Sequence, residues 1–271
     1  MIIAQISDLH IAGPGKKTYG IAPMAENLGR TVDHVNGLRP RPDLVIVTGD
    51  IAMNGRQEEV ELAVDLLNAL QMPCYIVPGN HDDRETLWSV CSGRYCPERH
   101  DEFISYVIDD FPVRLLGLDS TVPGHPGGEI CPRRAAWLDA RLGEDPEKPT
   151  VLFMHHPPVK CGVLETDVDG FTGAERLGEI IGKYRNIEAV LCGHIHLPAS
   201  VRWQGTVVST APSIGMELLL DLTMQLESAF YLADPGYQLH YWSPQNNLVT
   251  HTGYVQINEG PYPFADSPGG T

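Results

Sequence analysis

The chain has 271 residues, of which 42% are hydrophobic and 20% charged, so global disorder is excluded and a globular protein with a sizeable core is expected. Its 19 lysines and arginines stand against 35 aspartates and glutamates, which gives a formal net charge of −16. Such a surface repels polyphosphates, and duplex nucleic acid is therefore not expected as a partner.

Short apolar runs alternate with segments of helical periodicity along the first 200 residues. The runs are typical of strands buried on both faces. In chain order they are Ile2–Ser7, Leu44–Thr48, Tyr75–Pro78, Val113–Leu118, Val151–Met154 and Ala189–Cys192. The predicted helices are Met24–Leu38, Glu58–Leu70, Arg133–Leu142 and Ala174–Tyr184. This alternation predicts an α/β fold with helices packed on sheet faces.

From Val201 onward the pattern changes to short strands joined by turns. The predicted strands are Val201–Trp203, Thr206–Ser209, Tyr237–Trp242 and Asn247–Ile257. The apolar segment Ile214–Leu232 has a partly helical pattern, and it is either an ordinary core element or an insertion that covers a site and contacts another subunit. The tail Gly260–Thr271 is rich in glycine and proline, and we expect it to be mobile. We therefore divide the chain into a core, residues 1–200, and a β-rich segment, residues 201–271.

Residues that commonly bind metals follow five of the predicted strands at the point where each strand ends. They are Asp8 and His10, Asp50, Asn80 with His81 and Asp82, His155 with His156, and His194 with His196. In open α/β folds the ligand crevice lies beyond the carboxyl ends of the strands, so these side chains can converge on one site. The glycines at positions 49, 79 and 193 precede three of these clusters and permit unusual φ values and close backbone approach.

The spacing within two clusters also favours a shared site. Asp8 and His10 lie two residues apart, as do His194 and His196, and on an extended chain both side chains of such a pair point to the same side. Mixed carboxylate and imidazole ligands suit iron, manganese, zinc or cobalt. No cysteine joins the clusters, which disfavours a structural thiolate zinc site.

The number of candidate ligands is too large for one tetrahedral ion. The candidates are Asp8, His10, Asp50, Asn80, one of His155 and His156, His194 and His196. Seven groups fit two ions that share Asp50 as a bridging carboxylate, an arrangement used for phosphoryl hydrolysis.

Taken together, the five blocks resemble the calcineurin-like metallophosphoesterase superfamily. The blocks are Asp8-x-His10, Gly49-Asp50, Gly79-Asn80-His81-Asp82, His155-His156-Pro157-Pro158 and Gly193-His194-x-His196. The resemblance is closest to the bacterial branch of class III cyclic-nucleotide phosphodiesterases and glycerophosphodiesterases. It implies a four-layer α/β/β/α sandwich, here with a C-terminal β-rich extension, and a centre of two metal ions.

The resemblance also implies the ligands of each ion. One ion would be bound by Asp8, His10 and His196. The other would be bound by Asn80, His155 and His194. Asp50 would bridge the two. His155 is preferred over His156 because the family's ligand is the first histidine after that strand, although the sequence leaves the choice open.

The implied reaction is hydrolysis of a small phosphodiester, a 3′,5′-cyclic nucleotide or a glycerophosphodiester, by attack of a metal-bound hydroxide. We expect His81, Asn80 and Asp50 to be catalytic, with His81 stabilising the transition state or protonating the leaving alkoxide. The alternatives are a phosphomonoesterase of the same fold and a metal-dependent interaction scaffold without catalysis. Two bound ions would attract a small anion locally although the surface repels long polyanions.

Several further expectations concern surroundings and partners. Asp82 and Asp83 either orient His81 or form a polar turn, and Tyr19 either borders the substrate or lies on an exposed loop. The resemblance implies an oligomerisation arm at about residues 211–236, so we expect a homo-oligomer.

The location of the protein is inferred from what the sequence lacks. It has neither a recognisable signal peptide nor an apolar run long enough to span a membrane. The six cysteines are scattered, which favours reduced thiols in a cytoplasmic protein. The sequence does not exclude a bond between Cys91 and Cys96.

Overall fold

The fold is taken from a computed structural model that describes residues 1–99 and 101–256, so the tail Gly260–Thr271 lies outside the described residues. The strands are β1 Ile2–Ile6, β2 Leu44–Thr48, β3 Cys74–Val77, β4 Tyr106–Ile108, β5 Arg114–Leu118, β6 Gly128–Glu129, β7 Thr150–Met154, β8 Phe171–Thr172, β9 Ile187–Cys192, β10 Ala199–Trp203, β11 Thr206–Thr210, β12 Met216–Leu218, β13 Phe230–Leu232, β14 Gly236–Ser243 and β15 Asn247–Tyr254. The helices are α1 Met24–Gly37, α2 Gln57–Leu67, α3 Arg84–Cys91, α4 Pro132–Glu144, α5 Leu164–Asp169 and α6 Ala174–Ile181.

The elements predicted for the first 200 residues are confirmed, with bounds shifted by at most three residues. The short elements α3, β4 and α5 were not predicted, and neither was the small β6–β8 pair. These pieces have between two and eight residues, which is too few for a hydrophobic period to be recognised.

Two sheets form the centre of the molecule. One has the strand order β15-β14-β1-β2-β3, and the other has the order β10-β11-β9-β7-β5-β4. The central pairs β1–β2, β2–β3, β5–β7 and β7–β9 are parallel. The carboxyl ends of neighbouring central strands therefore lie at one edge of each sheet.

Alternating side chains of β7 show how the layers pack. Val151 and Phe153 belong to a core that contains residues of both sheets and of α1, α2 and α3. Leu152 and Met154 point the other way, into a smaller core with residues of α4 and α6. Full burial of such a side chain stabilises the fold by about 1.5–3 kcal/mol. Each sheet is thus covered by the other sheet on one face and by helices on the other, and the predicted four-layer α/β/β/α sandwich is confirmed.

Four of the strands from Ala199 onward extend the two large sheets. β10 and β11 continue the second sheet beyond β9, and β14 and β15 continue the first sheet beyond β1. The C-terminal strands are thus built into the same layers as the preceding residues. The division of the chain at residue 200 stays a prediction.

The segment Ile214–Leu232 is a hairpin of β12 and β13, so the helical interpretation of its apolar pattern was wrong. Leu220, Leu222 and Leu226 are each more than half exposed, and no core holds them on one face of a helix. The Asp221 carboxylate instead accepts backbone N–H groups of residues 223, 225 and 226 and turns the chain.

Two smaller expectations are also resolved within the described residues. No helix among them has the length and apolarity that a membrane crossing requires. Cys91 and Cys96 are both free and buried, so the disulfide that the sequence left open is not formed.

Candidate metal centre

The segments that follow β1, β2, β3, β7 and β9 meet at one edge of the paired sheets. They carry all seven predicted ligands, which are Asp8, His10, Asp50, Asn80, His155, His194 and His196. The first sheet supplies the carboxylates and the amide, and the second sheet supplies three of the four imidazoles. The structure therefore brings together residues that lie up to 188 positions apart in the chain.

Five of the seven predicted ligands have left-handed backbone conformations. They are Asp8, His10, Asp50, His194 and His196, with φ between +42° and +73°. Residues other than glycine rarely adopt these angles, and such strain concentrates at functional sites. The prediction that the two spaced pairs lie on extended chain was therefore wrong. Sharp turns aim these side chains, because each strand ends before its ligands begin.

Two glycines allow the strand ends to come close to the ligands. Gly49 has a φ of +94°, and a Cβ at this position would collide with the His155 ring. A Cβ at Gly193 would collide with the Ser7 hydroxyl and the Asp8 carboxylate. The predicted close approach of the backbone is thus present at both positions.

The first set of donor groups contains Asp8, His10, Asp50 and His196. His10 Nε2 lies 3.0 Å from His196 Nε2 and 3.3 Å from Asp50 Oδ2. His196 Nε2 lies 3.4 Å from Asp8 Oδ1. All four side chains are buried, and their donor atoms lie within 4.8 Å of one another.

The second set contains Asn80, His155 and His194, and it shares Asp50 with the first. His155 Nε2 lies 3.0 Å from Asn80 Oδ1, 3.2 Å from His194 Nδ1 and 3.4 Å from Asp50 Oδ2. Asp50 Oδ2 is thus almost equally distant from His10 and His155, between the two sets. The resemblance implies the same two sets, and the assignment of ligands to ions stays a prediction.

The tautomers of two histidines show that these sets fit cations. His155 Nδ1 lies 2.7 Å from the Thr48 carbonyl oxygen, and His196 Nδ1 lies 2.8 Å from the Met216 carbonyl oxygen. Each Nδ1 must donate a proton to its carbonyl, so each Nε2 presents a lone pair to the site. A cation placed between these lone pairs and the nearby carboxylate oxygens would be bound by both, so the two sets fit cations.

The ionisation of the buried groups also indicates that the two sets of donor groups fit cations. Burial is the largest effect on Asp8 and raises its pKa to about 7, although His155 opposes the rise. Burial lowers the pKa of His10 and of His194 well below the usual value of histidine, so these rings are neutral. Asp8 would thus be half protonated near neutral pH unless cations compensate its charge. The donor set fits two such ions.

His156 differs from His155 in where its nitrogens point. Its Nδ1 lies 2.8 Å from the Ser120 hydroxyl, and its Nε2 lies 3.0 Å from the Pro126 carbonyl oxygen. Although its ring nitrogens lie near those of His155 and His194, both have protein partners. This geometry favours His155 over His156 as a ligand.

His81 lies beside the first set and lines the same cavity. Its Nδ1 is 2.8 Å from the Met53 carbonyl oxygen, and its ring centre is 4.6 Å from that of His10. Burial alone would lower the pKa of His81, but the Asp50 carboxylate and the Met53 carbonyl outweigh it, and the pKa is raised. In the protein without cations the His81 ring therefore holds its second proton more strongly than an ordinary histidine does.

The Met53 carbonyl, and neither of the two neighbouring aspartates, orients the His81 ring. Asp82 accepts hydrogen bonds from the backbone N–H groups of residues 51, 52 and 79, at 2.9–3.1 Å. It thus ties the loop after β2 to the loop after β3. Asp83 caps α3 by accepting the N–H of Thr86.

A cavity of about 370 Å³ opens over the two sets of donor groups. Five of the seven predicted ligands line it together with His81, and Asp8 and His155 are fully buried next to them. We call these eight residues the floor of the cavity. We call the part of the lining that comes from the segment before α1, from α5 and from the β12–β13 hairpin the roof, and its members are Tyr19, Glu165, Asp169, Ser228 and Phe230. Tyr19 both borders the cavity and is 59% exposed, so the two alternatives for it are compatible.

Four of the five roof residues were not among the residues predicted to be functional. Glu165 and Asp169 lie on α5, a helix of only six residues, and Ser228 and Phe230 lie in or next to β13. None of them follows a predicted strand or forms a spaced motif. The residues of α5 carry one signal, two acidic side chains four positions apart, but this spacing is common on solvated helices.

Comparisons with known proteins agree with this geometry. Residues 1–198 match the family described as Calcineurin-like phosphoesterase. A protein of Arcobacter nitrofigilis, named as a probable glycerophosphodiester phosphodiesterase, is 40% identical over 99% of this chain and 98% of its own length. The 3′,5′-cyclic adenosine monophosphate phosphodiesterase of Escherichia coli is 26% identical over 78% of this chain and 75% of its own.

Solved structures support the fold. A dimetal phosphatase from Danio rerio superposes with a TM-score of 0.64 over 94% of this chain and 99% of its own, at 15% identity. A purple acid phosphatase from yellow lupin superposes with a TM-score of 0.70 over 96% of this chain and 52% of its own, at 12% identity. Together with the match over residues 1–198, the full-length relative and the arrangement of the strand ends, they lead to one conclusion: the chain belongs to the calcineurin-like phosphoesterase family.

Proposed function

We propose that this protein is a metal-dependent phosphodiesterase that hydrolyses small phosphodiesters at a centre of two cations. The observation that carries the proposal is the convergence of seven donor groups in two sets around the Asp50 carboxylate. Nitrogen and oxygen atoms of these groups that can bind a cation lie 3.0–3.4 Å apart in the floor of an open cavity. Such an arrangement supports binding of two cations and leaves room beside them for an ester.

Cations bound in such a centre lower the pKa of water and offset the charge on phosphate oxygens. The protein's own residues would orient the ester. Asn80 turns its Oδ1 toward His155, which leaves its amide N–H groups free to donate to a phosphate oxygen. His81 is fixed through Nδ1, and from the protonated ring its Nε2 would donate a proton to a phosphate oxygen or to the leaving alkoxide.

Among small phosphodiesters we propose glycerophosphodiesters before cyclic nucleotides. Relatives named for both substrates match the chain, but the relative that aligns over the whole length, including the hairpin, is named for glycerophosphodiesters. The net charge of −16 supports a small substrate, because a long polyanion would meet a repelling surface outside the cavity.

A substrate panel tests the proposal. The manganese-loaded protein is assayed with bis-(p-nitrophenyl) phosphate, p-nitrophenyl phosphate, 3′,5′-cyclic AMP and a glycerophosphodiester. We expect both acyclic diesters to be hydrolysed faster than the monoester. Faster hydrolysis of the monoester would identify a phosphomonoesterase, and no hydrolysis by protein with both ions bound would identify a scaffold.

The identity of the ions is a finer part of the proposal. Carboxylate, amide and imidazole donors support iron, manganese, zinc or cobalt. Elemental analysis of protein purified without added metal or chelator is expected to give about two of these ions per chain. Calcium or magnesium alone at this stoichiometry would contradict the assignment.

We also propose that the protein is a cytoplasmic homo-oligomer, with an arm at about residues 211–236 that extends from the core, residues 1–200. The exposed Leu220, Leu222 and Leu226 on the β12–β13 hairpin support a contact between copies, because water-facing leucines on one projection favour association. Light scattering coupled to size exclusion should give a mass above the monomer's 29.8 kDa. A monomer would rule out the arm.

A further inference from the structure

A fully buried glutamine lies between the two large sheets. Gln5 belongs to β1, is 0% exposed and stands three positions before Asp8 in the chain. An amide between two apolar layers costs free energy unless its hydrogen-bonding groups are satisfied. An apolar side chain of similar size would fill the same space without that cost. The partners of the Gln5 amide therefore indicate what it contributes.

Both polar atoms of the Gln5 side chain have partners. Nε2 donates to the Thr48 hydroxyl and to the Cys192 carbonyl oxygen, each at 2.9 Å. Oε1 accepts a hydrogen bond from Nε2 of His240 at 3.0 Å. The opposite orientation of the amide would place its oxygen against the Cys192 carbonyl oxygen, so the network fixes the assignment. Thr48 belongs to the first sheet and Cys192 to the second, and one side chain thus joins both sheets.

These two partners lie at the ends of strands that precede ligands. Thr48 is the last residue of β2 and stands two positions before Asp50. Cys192 is the last residue of β9 and stands two positions before His194. Gln5 therefore links the strand end that leads to the shared carboxylate with the strand end that leads to an imidazole of the second set.

The contacts of Thr48 continue this network to two further ligands. Its hydroxyl donates to the Ser7 hydroxyl at 2.7 Å, and Ser7 directly precedes Asp8. Its carbonyl oxygen accepts the Nδ1 proton of His155 at 2.7 Å. Gln5, Ser7 and Thr48 are each 0% exposed, so water does not compete for these hydrogen bonds. A buried polar network that is fully satisfied makes the surrounding backbone rigid.

We propose that Gln5 is a positioning residue that fixes the spacing of the two sheets at the metal centre and thereby the geometry of the second set. It acts through the strand ends and touches neither an ion nor the substrate. Loss of a group that orients metal ligands lowers metal affinity about 10–100-fold. The inference rests on the two-cation centre of the proposed function, but it does not depend on which ester is hydrolysed.

Gln5→Met tests the proposal, because methionine has a similar length but cannot make these hydrogen bonds. Metal-free protein is titrated with manganese(II) in a calorimeter. The same titration of His155→Ala identifies the binding step that requires the second set. We expect Gln5→Met to weaken this step at least about tenfold relative to the unaltered protein.

Gln238→Met is the matched control. Gln238 is the register partner of Gln5 on β14, is 2% exposed, and donates to the Thr210 carbonyl oxygen in the second sheet. The control therefore loses a hydrogen bond of the same kind between the sheets, but Thr210 does not lead into a turn that carries a ligand. Both binding constants should stay within about threefold of those of the unaltered protein. Urea denaturation should show a similar loss of stability in the two methionine variants.

A second pair of variants tests the same link if Gln5→Met does not fold. Thr48→Val removes the hydroxyl that accepts from the Gln5 amide, whereas Thr48→Ser retains it. Only the valine variant should weaken the step that requires the second set, and the serine variant should bind both ions as the unaltered protein does.

The inference is overturned if Gln5→Met binds both ions like the unaltered protein, if Gln238→Met weakens the same step equally, or if Thr48→Val and Thr48→Ser behave alike. Hydrolysis of bis-(p-nitrophenyl) phosphate separates these outcomes from failure of the proposed function. A protein that binds two ions but does not hydrolyse this diester would contradict the proposed function alone. A protein that binds no ion would contradict both.

Discussion

The floor and the roof of the cavity are built in opposite ways. On the floor, Asp8, Asp50 and His155 are at most 2% exposed, and backbone groups fix them. On the roof, Tyr19 is 59% exposed, and Glu165 is held by one side-chain hydrogen bond. Donor atoms that share ions require fixed distances, whereas contacts to the remainder of a substrate tolerate exposed loops. The reaction and its selectivity can therefore vary separately.

One contact joins the two regions. The imidazole of His196, a floor residue, donates to the carbonyl of Met216, the first residue of β12. The base of the roof hairpin thus orients a floor side chain, while the tip around Leu222 lies in solvent. Substitutions at the tip of the hairpin should leave the floor undisturbed, whereas substitutions at its base should alter the orientation of His196.

The largest expected loss of turnover comes from substituting Asp50, the floor carboxylate that both sets share. Asp50→Asn keeps the shape of the side chain but removes its negative charge, so both ions would be bound more weakly. We expect turnover of bis-(p-nitrophenyl) phosphate to fall on the order of 10³-fold, and elemental analysis to give fewer than two ions per chain. Turnover within about tenfold of the unaltered protein would contradict a shared role for Asp50.

Substitution of His81 tests whether the floor contains a catalytic group that does not bind an ion. His81→Ala removes the imidazole that faces the cavity, and we expect turnover to fall on the order of 10²-fold or more. The number of bound ions should stay at two, as measured by elemental analysis. Unchanged turnover would remove His81 from the mechanism, and loss of an ion would make it a ligand.

Separate substitutions of His156 and His155 distinguish a residue that binds an ion from a residue that supports such a ligand. His156→Ala breaks the contacts to Ser120 and Pro126, and we expect activity to fall about 10–100-fold with both ions retained. In His155→Ala one ion should be lost. An opposite result for the two variants would show that His156 is the ligand. Ser120→Ala serves as a control that keeps the imidazole but removes its hydroxyl partner.

The smallest expected effect is on stability, and it comes from His240. This buried histidine belongs to β14 and does not line the cavity. Its nitrogens contact Thr250 and Gln5, and burial lowers its pKa to about 3. The unfolded chain binds this proton below about pH 6.5 and the folded chain does not. The free energy of unfolding should therefore fall as the pH drops from about 6.5 to about 3.

Urea denaturation of the metal-free protein at several pH values measures this dependence. The contribution of one histidine is about 1.4 kcal/mol per pH unit between the two pKa values. His240→Gln should make the slope smaller by about this amount, and the other buried histidines, present in both proteins, cancel in the comparison. Identical slopes would show that folding does not lower the pKa of His240.

The floor could be predicted from the sequence because each of its residues lies within four positions of the end of a strand. Apolar runs such as Leu44–Thr48 identify the strands, and parallel pairing places their ends at one edge whatever the details of packing. The same reasoning could not give the backbone conformation of the ligands. Asp8 and His194 adopt left-handed angles that only the surrounding turns and the Gly193 approach impose.

The roof could not be predicted, because its contacts have no local signature. Tyr19 and Phe230 are in contact although they lie 211 positions apart in the sequence. Glu165 and Ser228 are joined by a hydrogen bond, but α5 was not predicted and the segment that contains Ser228 was predicted to be partly helical. Apolar spacing over Ile214–Leu232 suggested a helix, but a helix needs a core to bury one face, and here the leucines face water.

By itself, the sequence determined the layered α/β fold and the set of seven candidate ligands, because these depend on residues next to strand ends, and the family resemblance implied how the ligands divide around Asp50. Only the tertiary structure decided which nitrogen of His155 and of His196 faces the site, which protein groups contact the His156 nitrogens, and which side chains close the cavity. Those features depend on hydrogen bonds and contacts between distant segments, such as His196 with Met216 and Tyr19 with Phe230. Such contacts exist only once the sheets have packed.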